Sequence, residues 1–416
     1  LVPVAALAGA AVVIGFGAAG ASTWAGAVGL ALAWTPVAAL VAMAVYALLT
    51  LLLVRLFSIG LKEGVHPVRS RVGWQAWGTE RLMDAARTDL FPLYASQLTP
   101  MWLRLLGARV GKDAEVSTAV VLPKFTDIRE GAFLADDTMV GGYELGGGWL
   151  LLGVSKIGRR SFLGNSGIAG PGRKLGKNAL VAVLSSTPKK AKAGSNWWGS
   201  PPERLRRVAV ETEGGEDRTY RPGFGVKAAR GAVETLRLLA PMVSLALGVL
   251  VLSVMHLAAV GTVHLVDGMV GVDSDTATAV LLGLVVAWFI GSPLLLAAGL
   301  IAMLVTVAAK WLCVGKHKKA DHALWSPFVW LNELQDAFVE TVAAPWYFNP
   351  ALGTGGLNRA LRWLGADVGR GAWVESYWLP ETDLCRIGTG ATVGRGCVVQ
   401  THLFQDRVMS LDTVEL

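Results

Sequence analysis

The chain has 416 residues, 53% of them hydrophobic and only 17% charged, with a formal net charge of +7. Its mean hydropathy of +0.48 excludes an ordinary water-soluble domain of this length. The positive balance sits mostly beside long apolar runs, where lysine and arginine meet anionic lipid, so it carries no argument for nucleic-acid binding.

Residues 1–57 predict a transmembrane hairpin: Leu1 to Gly20 is uncharged and long enough to span a bilayer, and Leu40 to Phe57 is a second span that meets its first charge at Arg55. No charged segment precedes the first run, so it does not read as a signal peptide. Residues 58–105 predict an amphipathic connector lying at the interface, with Trp74, Trp77, Leu82, Met83 and Leu90 set between charges. A left-handed parallel β-helix is expected over 106–207 and a linker over 208–235. A second hairpin follows at 236–311, with spans at Leu238 to Leu265 and Ala279 to Ala309. Residues 312–363 repeat the connector, with Trp325, Phe328, Trp330, Phe338 and Trp346, and 364–416 begin a second β-helix that stops after a few turns, so more chain is expected to follow. The fold class is therefore a mixed membrane protein, with four spans in two hairpins alternating with β-helices.

The β-helix rests on five consecutive six-residue units from Ile157: IGRRSF, LGNSGI, AGPGRK, LGKNAL and VAVLSS. Each opens with an aliphatic residue or Ala followed by Gly or Ala, the signature of hexapeptide solenoids. One unit makes a short strand and a corner of a triangular prism; the first residue fills the interior, and the second lets the corner turn without a Cβ clash. Ile157, Leu163, Ala169, Leu175 and Val181 are thus expected in the core, with Ile128, Leu134 and Val140 below them in a looser frame.

The chain also repeats itself. His66 to Phe91 matches His322 to Tyr347 in Ser70/Ser326 and Trp74/Trp330; LRLLGARVGKDAEV from Leu103 matches LRWLGADVGRGAWV from Leu361. Leu122, Pro123, Thr126 and Asp127 pair with Leu379, Pro380, Thr382 and Asp383. Basic residues flank both hairpins on the side of the β-helices (Arg55, Lys62, Arg69 and Arg71; Lys227, Arg230, Arg237, Lys310, Lys316, Lys318 and Lys319). The first tip, Ala21 to Thr35, is uncharged, and the second, Val266 to Ala277, holds only Asp267, Asp273 and Asp275. By the positive-inside rule the β-helices are expected on the cytosolic side, in a multi-pass membrane protein. On that reducing side Cys313, Cys385 and Cys397, which lack metal spacing, are ordinary thiols.

A β-helix after LGA-x-VG, repeated with a membrane hairpin before each copy, resembles the membrane-embedded C-terminal region of ε-poly-L-lysine synthetase and related single-module nonribosomal peptide synthetases. In that family, adenylation and thiolation domains precede three tandem condensation-like domains related to hexapeptide acyltransferases. The resemblance implies amide-bond formation between a carrier-bound aminoacyl thioester and a free amino acid or growing homo-oligomer, of a basic amino acid such as lysine. Phosphopantetheine would arrive on a carrier domain outside this chain, and ATP would act only through an absent adenylation domain. No metal is implied. The partners are the lipid bilayer, the neighbouring β-helices and the thioester.

Hexapeptide acyltransferases typically use a histidine base in the groove between prisms. Of six histidines, only His402 falls in a β-helix, within QTHLFQDR. An imidazole there could take the proton of an attacking amine, Asp406 could orient it, and Arg407 could hold a carboxylate or phosphate. His402 aligns with Tyr143, and Asp406 and Arg407 with Gly147 and Gly148, so the first copy is expected to be a degenerate partner that contributes groove walls. Asn165 and Ser166 are outward polar candidates for amide contacts to pantetheine. SNWWGSPPERLRR, from Ser195 to Arg207, resembles the loop by which many of these enzymes leave the β-helix; Trp197 and Trp198 are expected to cover its open end, and Trp198 and Tyr143 are further substrate-binding candidates.

Two other readings stay open: a membrane-anchored O- or N-acyltransferase acting on a sugar or lipid, and a non-catalytic scaffold. A zinc-dependent prism enzyme is discarded, because it needs three histidine ligands that these prisms lack.

Overall fold

The computed structural model describes residues 1–206, 215–270, 276–405 and 407–416. Arg207, Asp273, Asp275 and Asp406, singled out in the sequence, lie outside the described residues.

The apolar runs form helices α1 (Val2–Ala18), α2 (Trp24–Phe57), α6 (Leu239–Val270) and α7 (Thr276–Cys313). Shorter helices lie between them: α3 (Arg71–Asp89), α4 (Thr99–Leu106) and α5 (Phe224–Leu236), with α8 (Pro327–Phe338) after them. Among the described residues three helical stretches are long and apolar enough to cross a membrane, at Trp24–Phe57, Phe224–Met269 and Ala277–Cys313. The fourth expected span is shorter: α1 packs along α2, with Gly9 beside Val41 and Val45. The expected tip at 21–35 is corrected as well. Thr23 caps α2 by accepting from the Gly26 amide, so the uncharged stretch is helix almost from its start.

After α4, short parallel strands wind around three faces. One face stacks Arg109–Val110, Thr126–Ile128, Ser155–Ile157 and Lys174–Leu175; the second Glu115–Val116, Phe133–Leu134, Phe162–Leu163, Leu180–Val181 and Asn196–Trp198; the third Val120–Val121, Met139–Val140 and Ile168–Ala169. Ile157, Leu163, Ala169, Leu175 and Val181 are buried inside, as are Ile128, Leu134 and Val140. Gly158, Gly164 and Gly176 have a different reason from the expected corner. A Cβ on Gly158 would lie 2.5 Å from the Gly176 carbonyl carbon, and one on Gly164 2.8 Å from the Val183 amide nitrogen, so glycine is needed because the next coil's backbone lies against it.

A second stack repeats the plan: Asp367–Val368 pairs with Cys385–Ile387, and Trp373–Val374 with Thr392–Val393, all parallel. Each copy also carries an antiparallel arm that the hexad pattern did not announce. Gly64–Pro67 pairs with Trp149–Leu152, which folds back on Glu144–Gly146; Ala320–Ala323 pairs with Val408–Leu411, which folds back on His402–Gln405.

The connectors depart from their interfacial reading. Trp74 and Trp77 are exposed, but Met83 and Leu90 are buried, and so are Trp325, Trp330 and Phe338. Trp325 and Trp330 pack with Phe133, Phe162 and Leu180 of the first stack and with Met409 and Leu411 of the second arm. The second connector is therefore a wedge between the two stacks.

Candidate active site

Between the stacks lies a cavity of about 630 Å³. The first stack contributes Glu115, Asp136, Asp137, Asn165 and Ser166; the second contributes Trp378, Gln400 and His402; α8 and the π-helical stretch after it (Val339–Phe348) contribute Asn332, Gln335, Asp336 and Glu340.

His402 opens the edge strand of the second arm, His402–Gln405, and is 7% exposed. Its Nδ1 lies 2.9 Å from both carboxylate oxygens of Glu381, while its Nε2 is buried without a hydrogen-bond partner among the described residues. Burial pulls the imidazole down, and the Glu381 carboxylate pulls it up by more, to about 9. In Glu381 burial pushes up, and the imidazolium prevails, leaving the carboxylate below its ordinary value. The two are an ion pair at neutral pH. Glu381 thus holds His402 Nδ1; Asp406, to which the sequence reading gave an orienting part, lies outside the described residues.

Glu381 also corrects the alignment of the two copies. The short 3-10 turn Pro123–Phe125 precedes the strand ending at Ile128, and Thr382–Leu384 precedes the strand ending at Ile387. Structurally, Glu381 therefore stands where Leu122 does, and Asp383 where Lys124 does; Asp127 corresponds to Arg386, not to Asp383. Matching the two Leu-Pro pairs hid this, because the second copy carries extra residues between its Leu-Pro and its strand.

The cavity has an excess of carboxyl groups. Arg87 pairs with Asp137, Arg237 with Glu333, and Arg230 reaches Glu234 at 2.8 Å and Glu115 at 3.3 Å. Asp136 accepts from the hydroxyls of Ser117 and Thr118, and Glu340 from that of Tyr377 at 3.2 Å. Asp336 has neither a hydrogen-bond nor an ion-pair partner among the described residues. Burial, and after it Glu381, push the Asp336 carboxyl well above the carboxylate range; burial raises Glu340 to about 7 although the Tyr377 hydroxyl pulls it down.

The remaining sequence candidates are scattered. Asn165 and Ser166 line the cavity opposite the second stack. Arg407 does not: it sits in the arm's turn at φ 65°, where Gly148 sits at 84°, and its buried guanidinium donates to the carbonyls of Thr219 (3.0 Å) and Gly131 (3.2 Å). Its charge is spent on fastening the second arm to the first stack. Tyr143 packs beside the apolar cluster of Leu61, Ala76, Leu122 and Phe125, away from the cavity. Trp198 is exposed at the far end of the first stack, while Trp197 packs on the core there beneath Arg204. Asn332, Asp336, Glu340 and Glu381 were missed; the last had a visible signal, since it follows directly on the apolar Trp378-Leu379-Pro380 run.

Over 359 residues, 86% of its length, the chain is 32% identical to Delta-poly-L-ornithine synthetase of Acinetobacter baumannii. The chain is related to the poly-amino-acid synthetases. This is the kinship that its repeated hairpins and hexads resemble. The chain spans about a quarter of that relative's length, 26%. No family model matches. Among solved structures, a maltose O-acetyltransferase from Clostridium difficile covers 36% of this chain and 95% of its own at 16% identity and a TM-score of 0.27. A serine acetyltransferase isoform from Entamoeba histolytica covers 43% and 67% at 11% identity and a TM-score of 0.20. At these scores neither likeness carries an argument about activity.

Proposed function

We propose that this chain is the membrane-anchored condensing portion of a poly-amino-acid synthetase, joining a carrier-bound aminoacyl thioester to the amine of a basic amino acid or growing oligomer. The observation that carries the reading is the buried Nε2 of His402, unpartnered among the described residues, on an imidazole held by Glu381 at the wall of an acidic cavity between two stacks. In its neutral form His402 accepts a proton from the attacking amine at Nε2, while Glu381 stabilises the imidazolium that forms. The new C–N bond replaces the C–S bond, and the proton passes from Nε2 to the leaving sulfur.

A phosphopantetheine arm, when bound, supplies that thioester. The residues present suit it: Asn165 and Ser166 face the cavity from the first stack, and Gln335 Oε1 is a buried acceptor with no partner among the described residues, a set matched to an arm that carries amides. The basic side chain of the substrate would be met by Asp336, Glu340 and Asp136. An ammonium group is the ligand that lets the raised carboxyls of Asp336 and Glu340 ionise, so its entry is coupled to proton release.

The stacks are read here as left-handed hexapeptide β-helices, and the apolar helices as a membrane anchor with the stacks on the cytosolic face, supported by the basic residues at the stack end of α2 and α7, Arg55 and Lys310. The test is mass spectrometry of products from membranes holding the full-length protein, supplied with ATP and either lysine or ornithine, with carrier loading followed in parallel. In His402→Ala loading should persist and oligomers vanish. Normal oligomers from that variant would remove His402 as the base and favour the scaffold reading for this segment.

A further inference from the structure

Behind the His402–Glu381 pair runs a buried chain of polar side chains ending at a membrane helix. Asn332 Nδ2 donates to Glu381 Oε1 at 3.0 Å, and Asn332 Oδ1 lies 2.9 Å from His317 Nε2. His317 Nδ1 lies 2.9 Å from Asp383 Oδ2, which also accepts from Lys310 Nζ at 2.7 Å, in the last turns of α7. Thr401 occupies the other Glu381 oxygen, donating to Oε2 at 2.5 Å. His317, Asn332 and Lys310 are each at most 3% exposed. The direction of the chain is fixed by chemistry: an ionised carboxylate only accepts, so Asn332 must turn its NH2 to Glu381 and its oxygen to His317.

The first copy shows what the fold itself requires at these places. The arm strands Gly64–Pro67 and Ala320–Ala323 set the connector register, so His317 and Asn332 stand where Leu61 and Ala76 do; Glu381 stands at Leu122, His402 at Tyr143 and Lys310 at Val54. Leu61, Ala76 and Leu122 belong to one apolar cluster, with Tyr143 packed against it. Of the five places where the second copy buries polar groups, the same unit has hydrocarbon at four, Leu61, Ala76, Leu122 and Val54, and a tyrosine at the fifth, and burying polar groups costs free energy unless every one is satisfied.

We infer that Asn332, His317 and Asp383 are a positioning relay that holds the Glu381 carboxylate against His402 Nδ1, leaving Nε2 as the nitrogen offered to the substrate. The inference rests on the proposed role of His402 and deepens it. These three residues touch no reacting atom; they act through Glu381, which has one donor on each oxygen besides the imidazole and so cannot rotate away.

The test is a double-mutant cycle on condensation rate in membranes holding the full-length protein. Asn332→Ala should lower the rate about 10-fold or more with carrier loading unchanged. In a Glu381→Gln background the same substitution should add less than about 2-fold, because the group through which it acts is already gone. His317→Leu, which installs the side chain found at residue 61, should behave likewise and serves where Asn332→Ala does not accumulate. A wild-type rate in Asn332→Ala, or an equal loss in both backgrounds, would overturn the relay while leaving His402 as the base. Unchanged condensation in His402→Ala would overturn the catalytic reading and the relay with it.

Discussion

At the scale of single residues, His402 and Glu381 set opposite limits on pH. The His402 value is raised, so the stability it contributes is present below its ordinary 6.5 and is lost as pH rises through about 9; that of Glu381 is lowered, so its contribution is present above 4.5 and is lost as pH falls through its depressed value. The ion pair therefore contributes fully between those two ordinary values, and thermal unfolding in detergent should show stability falling as pH rises from 6.5 to about 9 in wild type but not in His402→Gln. A base must be unprotonated, so the condensation rate should rise with pH toward about 9. In Glu381→Gln the carboxylate that raises His402 is gone while the burial that lowers it remains. The rising limb should then move to lower pH, with the maximum rate reduced roughly 100-fold by the lost orientation. A limb unmoved in that variant would mean that another group titrates. Asp336→Asn should raise KM for a cationic amino acid about 10-fold, the worth of one charge-assisted contact, and leave carrier loading alone.

At the scale of elements, the glycines of the stacks and the tip of the second arm carry most of the consequence. In Gly164→Ala the new methyl group meets the backbone of the coil above, which cannot swing aside as a side chain would, so a loss of about 1–3 kcal/mol is expected by denaturant or thermal unfolding. Arg407→Ala leaves buried carbonyls of the first stack without their donor and should lower stability by about 2–3 kcal/mol. Because the arm also carries His402, kcat should fall in that variant while KM for the amino acid holds. A selective rise in KM would restore the carboxylate-holding role expected from sequence. The π-helical stretch Val339–Phe348 is the third element of note, since it aims Glu340 into the cavity where Phe348 also lies.

At the scale of the whole molecule, the two copies meet through the second connector and the second arm, and the cavity exists only because they do. The exposed Cys397 offers a check on orientation: a membrane-impermeant maleimide should label it in cells only after permeabilisation if the stacks face the cytosol. By itself the sequence determined the apolar helices and the stacked coils, because both are written in local periodicity: runs of uncharged residues, and an aliphatic-glycine step every six positions. It also determined that His402 stands at the place of Tyr143, since the repeat fixes that register without any distance information. Only the tertiary structure decided what surrounds His402. Glu381 and Asn332 are 21 and 70 positions away in the chain, and residues that converge across a connector, an arm and two stacks leave no period to read. The same reason explains Arg407, whose charge looked available in sequence because the carbonyls that take it up belong to a coil nearly three hundred residues earlier.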